Sequence, residues 1–148
     1  MKTAILFLFF TISAVLAGAQ SHLVIMVSEI KNSNCTACTD CLLTRLPVGS
    51  YKEAVEAEKS LRLQHNTSPS IYILKPGRAA VIYEYEKEVG PCRCKMIRVI
   101  YEAGKTAQDA LDALEREKKN NPELRGKSIT IRETWPVDLV EKKINSIK

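Results

Sequence analysis

Histidine and tryptophan are nearly missing from this chain: two of the first and one of the second in 148 residues. That leaves little material for imidazole catalysis or a histidine-based metal centre. There is no G-x-S-x-G, no H-E-x-x-H and no Walker loop, so classical hydrolase and nucleotide chemistry find no motif. No EF-hand loop occurs and the acidic residues are scattered, which argues against calcium chemistry. Charge of one sign is never concentrated. The 22 Lys and Arg face 17 Asp and Glu, for a formal charge of +5, and the sequence holds no run of five or six like charges. Aromatics are not interleaved with arginines, so nucleic-acid binding is not expected. What remains, 45% hydrophobic and 26% charged, is ordinary for one folded domain with a single core.

Long apolar runs are scarce too, and the one that exists is at the start. Lys2 precedes a greasy stretch from Ala4 to Phe10 that continues through Ile12, Val15 and Leu16 and ends in Ala17-Gly18-Ala19. A basic start, a short apolar middle and an A-x-A ending predict a secretory signal peptide over 1–19, cleaved after Ala19. A membrane span needs about twenty consecutive apolar residues. This run is broken by Thr11 and Ser13, and no later stretch approaches that length. The expectation is a secreted, extracellular protein with no transmembrane segment and a single α+β domain over 20–148.

Secretion changes what the cysteines mean. Outside the cell thiols are oxidised, and small domains use the bridges to supplement a modest core. Five cysteines fall in two groups, Cys35-x-x-Cys38-x-x-Cys41 and Cys92-x-Cys94. Residues two apart on a strand share a side, and a bridge needs Cβ atoms about 3.5–4.5 Å apart with a defined torsion. Cys92 and Cys94 are therefore poorly placed to bond each other and better placed to reach two members of the first group. Spacing does not say which two. One cysteine is left over, as a free thiol or as an interchain link; oxidising surroundings favour the link and hence a covalent homodimer. The competing use of the cluster is a thiolate site for zinc or cuprous copper. Oxidation and the odd count favour bridges over metal, and no cofactor is expected.

Along the mature chain, His22 to Ile30 contains Leu23-Val24-Ile25-Met26-Val27, a strand buried on both faces. Residues 31–49 read as a polar, cysteine-bearing loop with a helical turn near Cys38 to Leu43. Ser50 with Glu53 three residues on opens a helix as a capping box, whose stripe is Tyr51, Ala54, Val55 and Leu61. Ile71-Tyr72-Ile73-Leu74 is a second buried strand, and Pro76-Gly77 suits the centre of a type II turn. A third strand, Ala79 to Lys87, puts Val81, Tyr83 and Tyr85 on one side and Glu84 and Glu86 on the other. A fourth, Lys95 to Glu102, aligns Ile97, Val99 and Tyr101; the three strands read as a meander, each half exposed. Thr106 and Asp109 open a second helix with Ala107, Ala110, Leu111 and Leu114 on one stripe. Ser128 to Glu133 is a fifth strand with Ile129 and Ile131 inward. Pro136 starts a closing helix through Val137, Val140, Ile144 and Ile147.

Ser50 to Leu74 and Thr106 to Ile131 run alike: capped helix, polar link, short apolar strand, each after an apolar strand. The expected fold is α+β, a mainly antiparallel five-stranded sheet with two to three helices on one face. It would be a disulfide-stapled split β-α-β arrangement resembling the ferredoxin-like architecture, with one extra strand.

Cys35-Thr36-Ala37-Cys38 after a buried strand, and Pro69 before another strand, also give the region Leu23 to Val81 a faint resemblance to the thioredoxin superfamily. That resemblance implies a C-x-x-C at a helix N-terminus, with Cys35 as attacking thiolate and Cys38 as resolving partner in a thiol-disulfide oxidoreductase. The chain departs from the pattern in having only about thirty residues between Cys38 and Pro69, and further cysteines that compete for the motif.

Smaller sites complete the reading. Cleavage after Ala19 would expose Gln20-Ser21-His22, whose amine, amide nitrogens and imidazole can surround Cu(II) in a square plane. Against this, His22 also reads simply as the start of the first strand, and cyclisation of Gln20 would abolish the amine. Asn34-Cys35-Thr36 and Asn66-Thr67-Ser68 are N-glycosylation acceptors in polar links; Asn66 is favoured because Asn34 adjoins a bridge. The function expected is non-enzymatic: extracellular binding or a structural role, with an extracellular protein or an acidic polysaccharide as partner. The alternative is the secreted oxidoreductase using Cys35 and Cys38.

Overall fold

The computed structural model describes residues 22–65 and 67–135. Strands β1 (His22–Lys31) and β2 (Thr39–Val48), helix α1 (Tyr51–Gln64) and β3 (Ser70–Leu74) are followed by β4 (Ala80–Val89), β5 (Cys92–Tyr101), helix α2 (Ala107–Asn120), a 3-10 turn (Pro122–Leu124) and β6 (Ile129–Trp135). The signal segment, Gln20, Ser21, Asn66 and the closing helix expected from Pro136 lie outside the described residues.

The chain is α+β, but its strands form two antiparallel three-stranded sheets, β2-β1-β3 and β5-β4-β6. The single five-stranded sheet expected from the sequence is replaced for a definite reason. β1 is apolar on both sides from Leu23 to Val27, and so is β4 from Ala80 to Tyr83. Each strand can be the centre of its own sheet, with one face toward the other sheet and one toward a helix. Leu23, Ile25, Val27 and Leu74 meet Ala80, Ile82 and Ile97 between the sheets. On the far side of β4, Val81, Tyr83 and Tyr85 pack on Ala110, Leu114 and Leu124. Helix α1 covers sheet β2-β1-β3 and α2 covers the other. The helices therefore lie on opposite outer faces of a four-layer stack, not on one face.

The two halves repeat one ββαβ pattern, which sharpens the internal similarity seen in the sequence. Leu23 lies between Pro47 and Leu74 in its ladders, as Ala80 lies between Tyr101 and Trp135. Both helices are capped alike. Ser50 Oγ accepts from the Glu53 N–H and Thr106 Oγ1 from the Asp109 N–H. The Asp109 carboxylate closes a full box by accepting from the Thr106 N–H. In α1 the Glu53 carboxylate instead accepts from Gly49 N–H.

The expected meander does not form, because β3 pairs with β1 and not with β4. The Pro76-Gly77 turn is present, closed by the Arg78 N–H to the Lys75 carbonyl at 3.2 Å with Gly77 at φ 73°. It carries the chain from one sheet to the other. The true hairpin is β4–β5, turned by Gly90 at φ 58°. Residues 39–48, which the sequence presents as loop and helical turn, are strand β2. Ile129 packs inward as expected, whereas Ile131 is 45% exposed on edge strand β6, next to a register shift opposite Ile82 and Tyr83.

The strands of the two sheets run obliquely to each other. Asp40 of β2 accepts the Lys95 N–H of β5 at 3.3 Å, and five residues on Arg45 pairs with Glu133 of β6 at 2.7 Å. In the same way β5 passes from β2 at Lys95 to β3 at Tyr101, whose ring lies 5.0 Å from that of Tyr72.

Candidate functional site

On β5 successive residues face opposite sides of the sheet. The ladder pairs Cys92 with Val89 and Cys94 with Lys87, on the face that carries Tyr83 and Tyr85. The β1–β2 loop, residues 32–38, reaches the β5 edge and delivers Cys35 and Cys38 to that face. Cys35 bonds Cys92 across a Cα separation of 6.2 Å, and Cys38 bonds Cys94 across 5.4 Å. Cys38, Cys92 and Cys94 are buried, with Val89 and Met96 against them. The loop itself is a tight turn, the Cys38 N–H donating to the Cys35 carbonyl at 3.1 Å. Both bridges thus join one ββαβ unit to the other, with both strand cysteines reaching into the first group as their side-sharing implied.

Cys35 and Cys38 bond to strand cysteines and not to each other. Strand β2 begins directly after the C-x-x-C, so the helix N-terminus that the thioredoxin resemblance implies for Cys35 is not there. Cys41 is the free cysteine. It stands opposite Glu29 on β2, half-buried against the inter-sheet core. His22 begins β1 and its ring sits 5.9 Å from that of Tyr51; Gln20 and Ser21, the other members of the copper reading, are outside the described residues. Asn34 is exposed in the loop next to Cys35, its N–H donating to Asn32 Oδ1 at 2.8 Å.

The opposite face of the β4–β5 hairpin carries a charged groove of about 470 Å³, lined by Glu84, Glu86, Glu88, Arg93, Lys95, Lys127 and Thr130 among others. Glu84 takes Arg132 at 2.7 Å and Lys95 at 3.3 Å, and Arg93 reaches Glu86 at 3.7 Å. Burial pushes the Glu84 carboxyl up, but the hydrogen bonds from Arg132 and Lys95 outweigh it and hold the group below its ordinary 4.5. On the cysteine-bearing face, burial, aided by Glu117 and Tyr85, drives the Tyr83 phenol up to about 12. Burial also raises Tyr85. The hydrogen bond from Lys87 holds Glu123 below its usual range.

Taken from the sequence alone, these charges look like a mixed solvated surface, and the groove goes unseen. A signal was there: Glu84, Glu86 and Glu88 at period two, a Gly-Pro turn, then Arg93 and Lys95 at period two. With a two-residue turn the hairpin register puts acids and bases on one face.

No protein-family model, curated protein or solved structure matches the chain. Among the described residues no helix is long and apolar enough to cross a membrane.

Proposed function

We propose that this chain is a secreted, non-enzymatic binding or structural protein that presents the charged groove of the β4–β5 hairpin to an extracellular partner. The observation that carries the reading is the use of four cysteines to lock the β1–β2 loop onto β5. The same strand turns Arg93 and Lys95 toward the groove, so the bridges hold one wall of it. A covalent clamp beneath a polar face is what a small extracellular binder needs: a rigid surface without a large core. The acids of β4 lie between the bases of β5 on one side and Lys127 before β6 on the other. That pattern complements a protein surface bearing both signs better than an acidic polysaccharide, which offers one. A covalent homodimer would run through Cys41.

Expression of the full chain with a C-terminal tag is expected to give medium-borne protein beginning at Gln20. Chemical cross-linking in that medium is expected to trap a partner that the Arg93→Glu variant loses. Retention on heparin above about 0.15 M salt, where exposed charges are screened beyond roughly 8 Å, would favour the polysaccharide instead. Reduction of insulin at micromolar protein would replace the binder with the oxidoreductase. A dimer band that collapses on reduction and is missing from Cys41→Ser is the expected result on non-reducing gels.

A further inference from the structure

Four sulfur atoms from two distant segments meet at the β5 edge. The Sγ atoms of Cys35, Cys38 and Cys92 all lie within 4.8 Å of one another, and Cys94 is bonded to Cys38, so the two bridges form one cluster. Before bridges close, the same residues are four thiols. A tetrahedral zinc ion with Zn–S bonds of about 2.3 Å holds its sulfurs about 3.8 Å apart. Once the bridges are open, Cα separations of 6.2 and 5.4 Å let side-chain rotation part each pair to that spacing.

We propose that in its four-thiol form the chain binds one thiophilic d10 ion, zinc(II) foremost, through Cys35, Cys38, Cys92 and Cys94. Four thiols and one Zn²⁺ give a tetrathiolate of charge −2 and four protons; no electrons change hands. Three features of the fold support it. The Cys35–Cys38 turn is fixed by its own backbone hydrogen bond, which presents two ligands from one loop. The strand presents the other two on one side, in an apolar setting of Val89 and Met96 that excludes competing water. Lys87, directly across the ladder from Cys94 and paired with Glu123 at 3.0 Å, brings a cation to the edge of the dianionic site. Cys41 takes no part, because it packs against the inter-sheet core. Metal loading would therefore select the four cysteines that later pair and keep the fifth out. This inference does not depend on the binder reading, since it concerns the reduced chain alone.

The test is cobalt(II) titration of the full-length protein, reduced with a phosphine under anaerobic conditions. The expected result is the intense visible spectrum of tetrahedral thiolate cobalt, saturating at one equivalent and erased by one equivalent of zinc, with Cys41→Ser indistinguishable. The absence of a tetrahedral spectrum in the reduced wild-type protein overturns the proposal, as does saturation at another stoichiometry or loss of the signal in Cys41→Ser. The wild-type measurement stands by itself if ligand variants such as Cys94→Ser fail to fold.

Discussion

Cys94 and Lys95 are neighbours on β5 that work on opposite sides of one sheet. Cys94 is bridged to Cys38 and only 3% exposed, while Lys95 extends across the other face to Glu84 at 3.3 Å. Its backbone N–H meanwhile donates to Asp40 of the other sheet. The clamp, the inter-sheet contact and the charged groove therefore share one strand segment. Losing the clamp should loosen the groove even though no groove residue is changed.

The two bridges should be strongly non-additive. Each spans a separation of 57 or 56 residues, and closing a loop that long is worth about 4 kcal/mol in the chain-entropy model. With one bridge intact, however, the other closes only a few residues, because its ends sit two or three positions away. Removing Cys35–Cys92 or Cys38–Cys94 alone should cost about 2 kcal/mol, and removing both about 6 kcal/mol. Urea unfolding of Cys35→Ala/Cys92→Ala, of Cys38→Ala/Cys94→Ala and of the quadruple variant reads this directly. Equal costs of about 4 kcal/mol for each pair, summing in the quadruple variant, would show that the bridges act independently.

Acid should weaken the fold in a narrow window. Glu84 and Glu123 are held below 4.5, and the backbone N–H groups of Thr106 and Lys105 hold Asp109 below 3.8. A folded-state value below the unfolded one means the native state binds fewer protons. The contribution is complete above the unfolded value and disappears as pH falls through the folded one. The urea midpoint should stay level from about pH 7 to 5 and fall below about 4.5, the ordinary glutamate value. Glu84→Gln should lower the midpoint at about pH 7 and shrink the drop between there and about pH 3. An unchanged drop would mean that Glu84 is not a contributor.

At the alkaline end Tyr83 behaves oppositely. Its phenol is buried, 3% exposed, and displaced from 10.0 to about 12. A raised folded value gives stability that is whole below about pH 10 and lost as pH climbs toward about 12. Phenolate absorbance should show a late component near pH 12, and Tyr83→Phe should remove it. A late component that survives the substitution belongs to another tyrosine.

Much of this was legible in the sequence, and the failures have physical causes. Leu23 to Val27 and Ile71 to Leu74 announced strands because continuous β-branched and apolar runs have few other uses. Ser50 and Thr106 announced helices through capping chemistry that is local. Strand β2 was hidden because Thr39 to Val48 sits at a sheet edge. Leu42 and Leu46 are exposed, so no clean alternation survives, and Pro47 is tolerated only because an edge strand can spare an N–H. Pairing was hidden too. The pattern around Pro76-Gly77 fixes a turn but not whether its strands join one sheet or two. The charged groove is invisible in the sequence because its glutamates and its basic residues become neighbours only once the hairpin register is set.

Ser28 offers a test of the core that needs no ligand. It is 2% exposed, follows the apolar run of β1, and its hydroxyl finds no hydrogen-bond partner among the described residues. A buried hydroxyl without a partner costs about 1–3 kcal/mol relative to one that is satisfied. Deleting the oxygen leaves almost no void. Ser28→Ala should therefore be neutral or stabilise by up to about 1 kcal/mol. Ile25→Ala, on the same strand at 0% exposed, should cost about 2–5 kcal/mol through lost burial and a residual cavity. Opposite signs on one strand would set polar desolvation against packing within the same element. A Ser28→Ala loss of a full kcal/mol or more would show instead that the hydroxyl is bonded in solution, to water or to a part of the chain outside 22–65 and 67–135.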